Sequence, residues 1–333
     1  MSENYKPGLE GVIAGDTSVA CVDQGVLLYR GYPIEELAEK ATFEEVAYLL
    51  LNDDLPNTAQ LDTFEKDLDS FRALPKAVVD ALRLIPKQVP MMDVLRTTVS
   101  MTGHFDPVSD PGNYKRRAIW LTAQIGGIIA ARYRLLNGQE PIEAKPGLSH
   151  AAQILYQAQG TEPDALSAKL LDLTLILYAE HEFNASTFTA RFICSTMSDL
   201  VSAIVGAIGA LKGPLHGGAN EHVLNMIAEI KEVDEVEAWV LQKLRKKEKI
   251  MGMGHRIYQV KDPRSYVLEK MLDFYAKKKN QIRDYDILKK IEAVMQREMT
   301  KQGKDIWPNV DFFSGALYRI LDIPILLFTP IFA

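Results

Sequence analysis

Apolar residues recur along most of the chain with the three-to-four-residue spacing of an amphipathic helix. One such segment begins at Ile34, and a second covers residues 43–51. Thr42 precedes the second segment and Glu45 follows three residues later, so this pair predicts a capping box at the start of that helix. The sequence contains no internal repeat and no coiled-coil heptad pattern.

Later segments continue the helical pattern over residues 166–178 and 184–211. Residues 192–211 form the most apolar long stretch, but Asp199 interrupts it. That stretch therefore predicts a buried core helix rather than a membrane span, which needs about 20 apolar residues without charge. A strand pattern is found only in residues 27–30. We predict an almost all-α protein.

The second half of the chain differs in composition from the first. Residues 216–309 are more charged and contain shorter helical segments separated by loops, and the chain becomes apolar again from Phe312. This change predicts a large helical domain over residues 1–213, a smaller helical domain over 214–310, and a return to the large domain over 311–333. A cleft between two such domains is a natural place for a ligand site.

The two ends of the chain have opposite character. The polar start has no secretory signal pattern. Residues 325–333 are almost entirely apolar, whereas natural termini are usually polar and exposed. We expect the gene product to continue past Ala333.

Composition narrows the function classes. The 333 residues are 47% hydrophobic, with a formal net charge of −6 and an isoelectric point near 5.6. A general nucleic-acid binder is usually basic, so this class is disfavoured. The only cysteines, Cys21 and Cys194, are too far apart in sequence for a disulfide scaffold or a zinc ribbon, and a reducing cytoplasm is the expected location.

Positive charge is concentrated in one region. Residues 241–304 contain 18 Lys and Arg against 8 Asp and Glu. This excess is consistent with a solvated helical surface, and equally with a site that attracts an anionic ligand.

Three of the six histidines lie in unusual sequence surroundings. His181 lies in a polar interruption between two apolar helical segments, while His216 and His255 lie on glycine-rich backbone. A buried polar side chain needs partners, so three such histidines point to a shared site. Two of the others fit ordinary structural positions, His104 in a loop and His150 at a helix start. His222, just inside the helix that begins near Asn220, fits either a structural or a functional role.

A carboxylate, Asp311, adds a fourth candidate. It either caps the next helix, a position that favours Asp, or acts as a base whose strength desolvation increases. Three histidines and one aspartate would suit zinc, but no pair has the close spacing of a metal site. Phosphate-loop and dinucleotide-binding motifs are also absent from the sequence.

Taken together, these stretches resemble the citrate synthase family, and the match runs in order along nearly the whole chain. The motifs that carry the resemblance are HEFNAST (181–187), GPLHGGANE (213–221), GMGHR (252–256) with KDPR (261–264), and PNVDF (308–312), supported by GLEGV (8–12) and LYRGY (28–32). The resemblance implies an all-α fold whose large and small domains close over the active site.

The resemblance also implies an acyltransferase reaction of the tricarboxylic acid cycle, in which acetyl-CoA and oxaloacetate are joined and the thioester is hydrolysed to citrate and CoA. Asp311 would remove a methyl proton, and His216 would donate a hydrogen bond to the thioester oxygen. His255 would polarise the ketone of oxaloacetate. His181 and Arg264 would bind oxaloacetate.

These implied roles are physically reasonable. Thioester methyl protons are very weakly acidic, so charge on the oxygen must be stabilised as the proton leaves, and one donor typically contributes about 3–4 kcal/mol. A helix N-terminus lowers the pKa of an imidazole such as that of His216 and keeps it neutral. The fork of Arg264 matches the geometry of a carboxylate.

The resemblance also implies a CoA contact at the loop over residues 251–254, which lies within the region of concentrated positive charge. Its candidate residues are Lys249, Met251, Gly252, Met253 and Gly254. Neither a metal nor a tightly bound cofactor is expected, since acetyl-CoA is a substrate. The family is built on a homodimer, so we expect one here, and we expect no nucleic-acid or membrane partner.

Two alternatives stay open at this point. A 2-methylcitrate synthase would use propionyl-CoA, and one extra methylene in a pocket is worth only about 1–3 kcal/mol. A non-catalytic CoA- or carboxylate-binding protein is the second alternative. Family members continue past the position of Ala333 with a substrate-binding arginine and a tail that reaches the partner's site, so we expect the 333-residue chain to be poorly active.

Overall fold

A computed structural model describes residues 13–23, 25–110, 112–213, 216–254 and 260–333. These residues form sixteen α-helices and one small sheet, which confirms the prediction of an almost all-α protein. In chain order the helices are α1 (Ile34–Lys40), α2 (Phe43–Asn52), α3 (Thr58–Ser70), α4 (Lys76–Leu84), α5 (Met91–Thr102), α6 (Tyr114–Leu136), α7 (His150–Gln159), α8 (Ala165–Tyr178), α9 (Ala185–Ser195), α10 (Leu200–Leu211), α11 (Ala219–Ala228), α12 (Val236–Arg245), α13 (Pro263–Lys278), α14 (Arg283–Thr300), α15 (Asp311–Ile320) and α16 (Phe328–Ile331).

The sheet precedes the first helix. Its strands β1 (Ala20–Asp23), β2 (Val26–Tyr29) and β3 (Tyr32–Pro33) pair antiparallel in that order. The predicted strand over residues 27–30 corresponds to β2. Tyr29 ends this strand with a fully buried side chain, so the sheet is anchored in the helical core.

The start of α2 follows the predicted capping box. Thr42 Oγ1 accepts a hydrogen bond from the backbone N–H of Glu45 at 3.3 Å, and the Glu45 carboxylate accepts one from the backbone N–H of Thr42 at 2.7 Å. Both bonds satisfy N–H groups that a helix terminus otherwise leaves without partners.

The long helix α6 forms the centre of the first half of the chain. More than half of its length is buried, and it packs against α7 as well as α3, α4 and α5. Its glycine at position 126 allows close contact with α7, because a Cβ there would lie 2.8 Å from Cγ1 of Ile154. Close packing of this kind provides the rigid base on which the site is assembled.

The prediction of one buried core helix over residues 192–211 is wrong. Helix α9 ends at Ser195, and a new helix, α10, begins at Leu200. Asp199 causes the break, because its carboxylate caps α10 by accepting from the backbone N–H of Ser202 at 2.9 Å. The segment is also not fully buried, since the side chain of Phe192 is 65% exposed.

The second half of the chain meets the first at α15. This helix packs against α8 from the first half and against α11, α13 and α14 from the second. Phe312 and Phe313, at its start, are fully buried. The short helix α16 then packs against α5, α6 and α11. The exact domain boundaries at 213/214 and 310/311 stay a prediction.

Part of the positive charge in residues 241–304 forms ion pairs within the protein. Lys261 is buried, and its ammonium forms ion pairs with Glu269 and with Glu292, the latter at 2.7 Å. Lys289 pairs with the same two glutamates. These cations therefore balance internal carboxylates and do not contribute a net field at the surface.

In the described part of the chain, no helix combines the length and the apolar character needed to cross a bilayer. Nor do three or more His, Cys, Asp or Glu side chains group there in a way that could hold a metal ion. Cys21 and Cys194 are both exposed and free.

Candidate active site

Asp311 is the first residue of α15, where the second half of the chain meets α8. Its Oδ1 accepts a hydrogen bond from the hydroxyl of Tyr178 at 2.8 Å, and its backbone N–H donates to Oδ1 of Asn309 at 3.0 Å. Burial raises the pKa of Asp311 from 3.8 to about 6, although the Tyr178 bond and the nearby Arg264 act in the opposite direction. Two roles were predicted for Asp311, a helix cap or a base. The structure supports the base, because the carboxylate is desolvated and its basicity is increased.

Arg264 lies in the first turn of α13 and is only 4% exposed. Asp262, the residue that caps this helix, accepts from it at two points: Nε to Oδ1 at 3.1 Å and Nη2 to Oδ2 at 2.8 Å. The Asp262 carboxylate also accepts from the backbone N–H of Arg264 at 2.9 Å. A guanidinium held in this way is oriented before any anionic ligand arrives, which reduces the cost of binding.

His216 lies just before α11, on backbone that requires glycine. A Cβ at Gly217 would lie 2.5 Å from the carbonyl oxygen of Leu211, so no larger residue fits without displacement. The backbone N–H of Gly217 donates to that same carbonyl at 3.1 Å, and the N–H of His216 donates to the carbonyl of Gly213 at 3.0 Å. The glycines therefore let the chain turn tightly next to α10 and present the imidazole.

The imidazole of His216 contacts the stretch that contains His181. Its Nε2 lies 3.3 Å from the backbone nitrogen of Ser186, which donates to it, and 2.9 Å from the hydroxyl oxygen of that serine. The peptide plane fixes the position of the backbone hydrogen, so we assign Nε2 as an acceptor and place the ring proton on Nδ1. Burial lowers the pKa of His216, which favours the neutral ring.

Two loops are joined near the start of α15. The backbone N–H of Gly254 donates to the carbonyl of Trp307 at 2.7 Å, and Nδ2 of Asn309 donates to the carbonyl of Gly254 at 2.9 Å. Gly252 has a φ of +75°, and a Cβ there would lie 2.8 Å from Cα of Phe312. These contacts hold the 252–254 loop directly against the helix that carries Asp311.

His181 follows a segment that is pinned to the sheet. The hydroxyl of Tyr29 donates to the carbonyl of Glu180 at 2.8 Å and accepts from the backbone N–H of that residue at 3.2 Å. Glu182, on the other side of His181, has a φ of +54°. Such a conformation is uncommon for a residue other than glycine and is stable only when the surroundings enforce it.

The structure places most of the predicted site residues in two groups. In one group His216 contacts Ser186 of the 181–187 stretch, and in the other Asp311 lies near Arg264 and the 252–254 loop. Lys249, the predicted CoA contact before that loop, is exposed, and Met251 and Met253 are partly exposed. His255 lies outside the described residues.

Three residues that were not predicted from the sequence hold candidate side chains in place: Tyr178, Ser186 and Asp262. Ser186 belongs to a quoted motif but acts on His216 through its backbone, which side-chain chemistry does not reveal. Asp262 was detectable, because an aspartate before Pro-Arg is a helix cap and can also reach the following arginine.

Comparison with known proteins gives one consistent result. The family model described as "Citrate synthase, C-terminal domain" matches residues 8–333. A citrate synthase of Deinococcus radiodurans is 45% identical over 99% of this chain and 88% of its own length. A 2-methylcitrate synthase of Shewanella oneidensis is 42% identical over 98% of this chain and 86% of its own length.

Solved structures agree with the sequence relatives. A crystal structure of citrate synthase from Thermotoga maritima is similar with a TM-score of 0.88 at 39% identity, and the match covers 98% of this chain and 87% of that one. The citrate synthase from Thermoplasma acidophilum, solved as a ternary complex with carboxymethyl coenzyme A and oxaloacetate, has a TM-score of 0.91 at 29% identity, and the match covers 99% of this chain and 89% of that one.

Proposed function

The chain belongs to the citrate synthase family, and from that premise we propose that it condenses acetyl-CoA with oxaloacetate and hydrolyses the resulting citryl thioester to citrate and CoA. The observation that carries this proposal is Asp311: a carboxylate with a pKa near 6, placed beside an oriented arginine at the junction of the two halves of the chain. This combination provides a base and an anion-binding group at one place.

The first step is removal of a proton from the methyl group of acetyl-CoA. Asp311 takes the proton, and the electron pair of the broken C–H bond moves toward the thioester oxygen. With a pKa near 6, Asp311 is mostly ionised at neutral pH yet is a stronger base than an ordinary aspartate. A base alone is insufficient for so weak an acid, so the oxygen requires a donor at the same moment.

His216 supplies that donor in our proposal. With Nε2 accepting from Ser186, the proton on Nδ1 is the one that can be donated to the thioester oxygen. Burial and the position before α11 both favour a neutral ring, which stabilises developing negative charge without needing to lose a proton first.

The second step forms the new carbon–carbon bond. The enol carbon attacks the ketone carbon of oxaloacetate, and the ketone oxygen takes up a proton. We assign polarisation of that ketone to His255, and binding of the oxaloacetate carboxylates to Arg264 and His181. The buried, pre-oriented guanidinium of Arg264 supports this assignment. Water then cleaves the citryl thioester and releases CoA as its thiol.

We assign contact with CoA to Lys249 and to the loop formed by Met251, Gly252, Met253 and Gly254. The exposed ammonium of Lys249 suits a phosphate, and the loop backbone is fixed against residues 307–309. Acetyl-CoA is a substrate and CoA a product, and we propose no tightly bound cofactor and no metal.

The second candidate is a 2-methylcitrate synthase that uses propionyl-CoA. It is supported by the relative from Shewanella oneidensis and by a Bacillus subtilis relative named citrate/2-methylcitrate synthase, 39% identical over 99% of this chain and 89% of its own length. Both reactions use the same base and the same oxygen donor, so the described residues do not separate them. The presence of both groups argues against a pure binding protein.

We propose that the protein is a homodimer that forms through α9 and α10. Helix α10 is one of the most apolar segments of the chain, yet only Ala203, Ile208 and Leu211 on it are buried. Phe192 and Met197 beside it are 65% and 93% exposed. A second copy of the chain would cover this apolar face. A monomeric mass by sedimentation equilibrium at micromolar concentration would contradict the proposal.

We place the protein in the cytoplasm, as an enzyme of the tricarboxylic acid cycle. Its two free, exposed cysteines are consistent with a reducing compartment, and the names of the bacterial citrate synthase relatives are consistent with that pathway.

Thiol release tests the proposed function directly. CoA produced from acetyl-CoA and, separately, from propionyl-CoA is measured with and without oxaloacetate. We expect oxaloacetate-dependent release, with a higher kcat/KM for acetyl-CoA. A higher kcat/KM for propionyl-CoA would favour the second candidate, and no release from either thioester would contradict both.

A further inference from the structure

Tyr178 is a polar residue next to the proposed base that the mechanism above does not use. It ends α8, and its hydroxyl oxygen lies 2.8 Å from Oδ1 of Asp311 and 2.8 Å from Oγ of Ser314. Its ring stacks on Phe332, with centroids 4.2 Å apart and planes inclined by 19°. The ring is thus held from one face while the hydroxyl contacts the start of α15.

The direction of these hydrogen bonds follows from the chemistry of the groups. An ionised carboxylate only accepts, so Tyr178 donates its single hydroxyl hydrogen to Asp311. The hydroxyl oxygen can then accept from Ser314, whose other possible acceptor, the carbonyl of Asp311, is more distant at 3.4 Å. The result is a short chain of donors that runs from Ser314 through Tyr178 to Asp311.

The two carboxylate oxygens of Asp311 differ in their hydrogen bonding. Within the described residues, Oδ1 of Asp311 accepts the bond from Tyr178, while Oδ2 accepts none. A bond to one oxygen restricts rotation of the carboxylate, and the other oxygen stays available to take a proton from a substrate. A base must be held in such a fixed position to act efficiently.

We propose that Tyr178 is a positioning residue for Asp311: its donated hydrogen bond orients the carboxylate and sets the lower end of the pH range in which the enzyme turns over. This inference rests on the proposed function, in which Asp311 is the base. The two residues are 133 positions apart in sequence and belong to helices from different halves of the chain. Their contact therefore couples the base to the packing of α8 against α15.

The charged and titratable groups that lie near Asp311 come from three helices. They are Tyr178 on α8, Tyr318 on α15, and Asp262 and Arg264 at the start of α13. Burial raises the pKa of Asp311, and the Tyr178 bond lowers it because it stabilises the ionised form. Loss of that bond must therefore raise the pKa, whereas loss of a hydroxyl that does not contact the carboxylate should leave it nearly unchanged.

The test compares Tyr178→Phe with the matched control Tyr318→Phe. Both substitutions remove one hydroxyl from a tyrosine of the same core, Tyr318 fully buried and Tyr178 partly buried, but Tyr318 has no hydrogen bond to Asp311. We measure kcat from pH 5 to 9. In Tyr178→Phe, the acidic limb of the plot of kcat against pH should move to higher pH by about one unit, the effect of roughly one hydrogen bond to a carboxylate. In Tyr318→Phe the acidic limb should stay in place. An unmoved limb in Tyr178→Phe, or equal movement in both variants, would overturn the inference.

A second variant keeps the phenol and its packing. Ser314→Ala removes the donor to the Tyr178 hydroxyl, so Tyr178 becomes a weaker donor and the limb should move in the same direction by less. This variant decides the inference if Tyr178→Phe does not fold: a limb identical to that of the unaltered protein would overturn it.

A readout that does not need turnover separates this inference from the proposed function. The side-chain carboxyls of aspartate are labelled with ¹³C and titrated by NMR, and Asp311→Asn identifies the signal of Asp311. If the unaltered chain releases no thiol from either acyl-CoA, the proposed function fails. The titration still decides whether Tyr178→Phe raises the midpoint of Asp311, as the inference requires, or leaves it in place, which would overturn it.

Discussion

The backbone N–H of Ser186 donates to Nε2 of His216 across 3.3 Å, and this contact joins two motifs that are 30 residues apart. Because a backbone hydrogen cannot rotate away, it fixes which ring nitrogen accepts and leaves the proton on Nδ1. The side-chain hydroxyl of Ser186 has another acceptor, Oδ1 of Asn184 at 2.7 Å. The orientation of the imidazole therefore depends on the backbone of α9 more than on the serine side chain.

The first prediction follows from this difference between backbone and side chain. His216→Ala should lower kcat by about 10²–10³-fold, because it removes one donor to the developing oxyanion. Ser186→Ala keeps the backbone N–H and should lower kcat by less than about tenfold. Steady-state kinetics at saturating acetyl-CoA and oxaloacetate measure both values. Similar losses in the two variants would contradict the assignment of Nε2 to the backbone donor.

The second prediction concerns the fork of Arg264. Arg264 donates two side-chain hydrogen bonds to Asp262, and a lysine at this position could not donate both. Nor could a lysine bind a substrate carboxylate through two parallel hydrogen bonds. Arg264→Lys should raise the KM for oxaloacetate by about 10- to 100-fold, the usual value of a charged hydrogen bond. Arg245→Lys, on the exposed surface of α12, is the control and should leave this KM unchanged. An unchanged KM in Arg264→Lys would exclude Arg264 from the oxaloacetate site.

The third prediction tests the support of the 252–254 loop. Gly252→Ala places a Cβ 2.8 Å from Cα of Phe312 on backbone with a φ of +75°. It should lower the free energy of unfolding by roughly 3 kcal/mol or more, from strain and overpacking together. Gly303→Ala has a similar φ, +67°, but no heavy atom within 4 Å, and should cost only about 1–2 kcal/mol. Urea unfolding compares them, and equal costs would show that the close contact has no effect.

The fourth prediction links the base to stability. The folded pKa of Asp311, about 6, exceeds its ordinary value of 3.8, so between these pH values the native state binds a proton that the unfolded state has lost. Stability contributed by this group is full below pH 3.8 and decreases as pH rises through 6. Asp311→Asn should therefore raise the free energy of unfolding at pH 7 by about 3 kcal/mol, and the gain should disappear near pH 4. Urea unfolding at both pH values measures it, and a loss of stability at pH 7 would contradict the raised pKa.

Local sequence patterns predicted much of this molecule. The capping box of Thr42 and Glu45 depends on residues close together in sequence, and it was correctly predicted. The contact between Tyr178 and Asp311 was not predictable in this way, because it depends on how α8 and α15 pack. The exposure of Phe192 was also missed, since periodicity alone does not distinguish a core from a surface that a second copy could cover.

The central claim, that Asp311 is the base of the condensation, is tested most directly by one paired measurement on Asp311→Asn. Thiol release at saturating acetyl-CoA and oxaloacetate is measured together with the calorimetric Kd for oxaloacetate, each against the unaltered chain. We predict that kcat falls by about 10²–10⁴-fold, the usual contribution of a general base, while the Kd changes by less than about threefold. A variant that keeps more than about a tenth of the original kcat would contradict the claim.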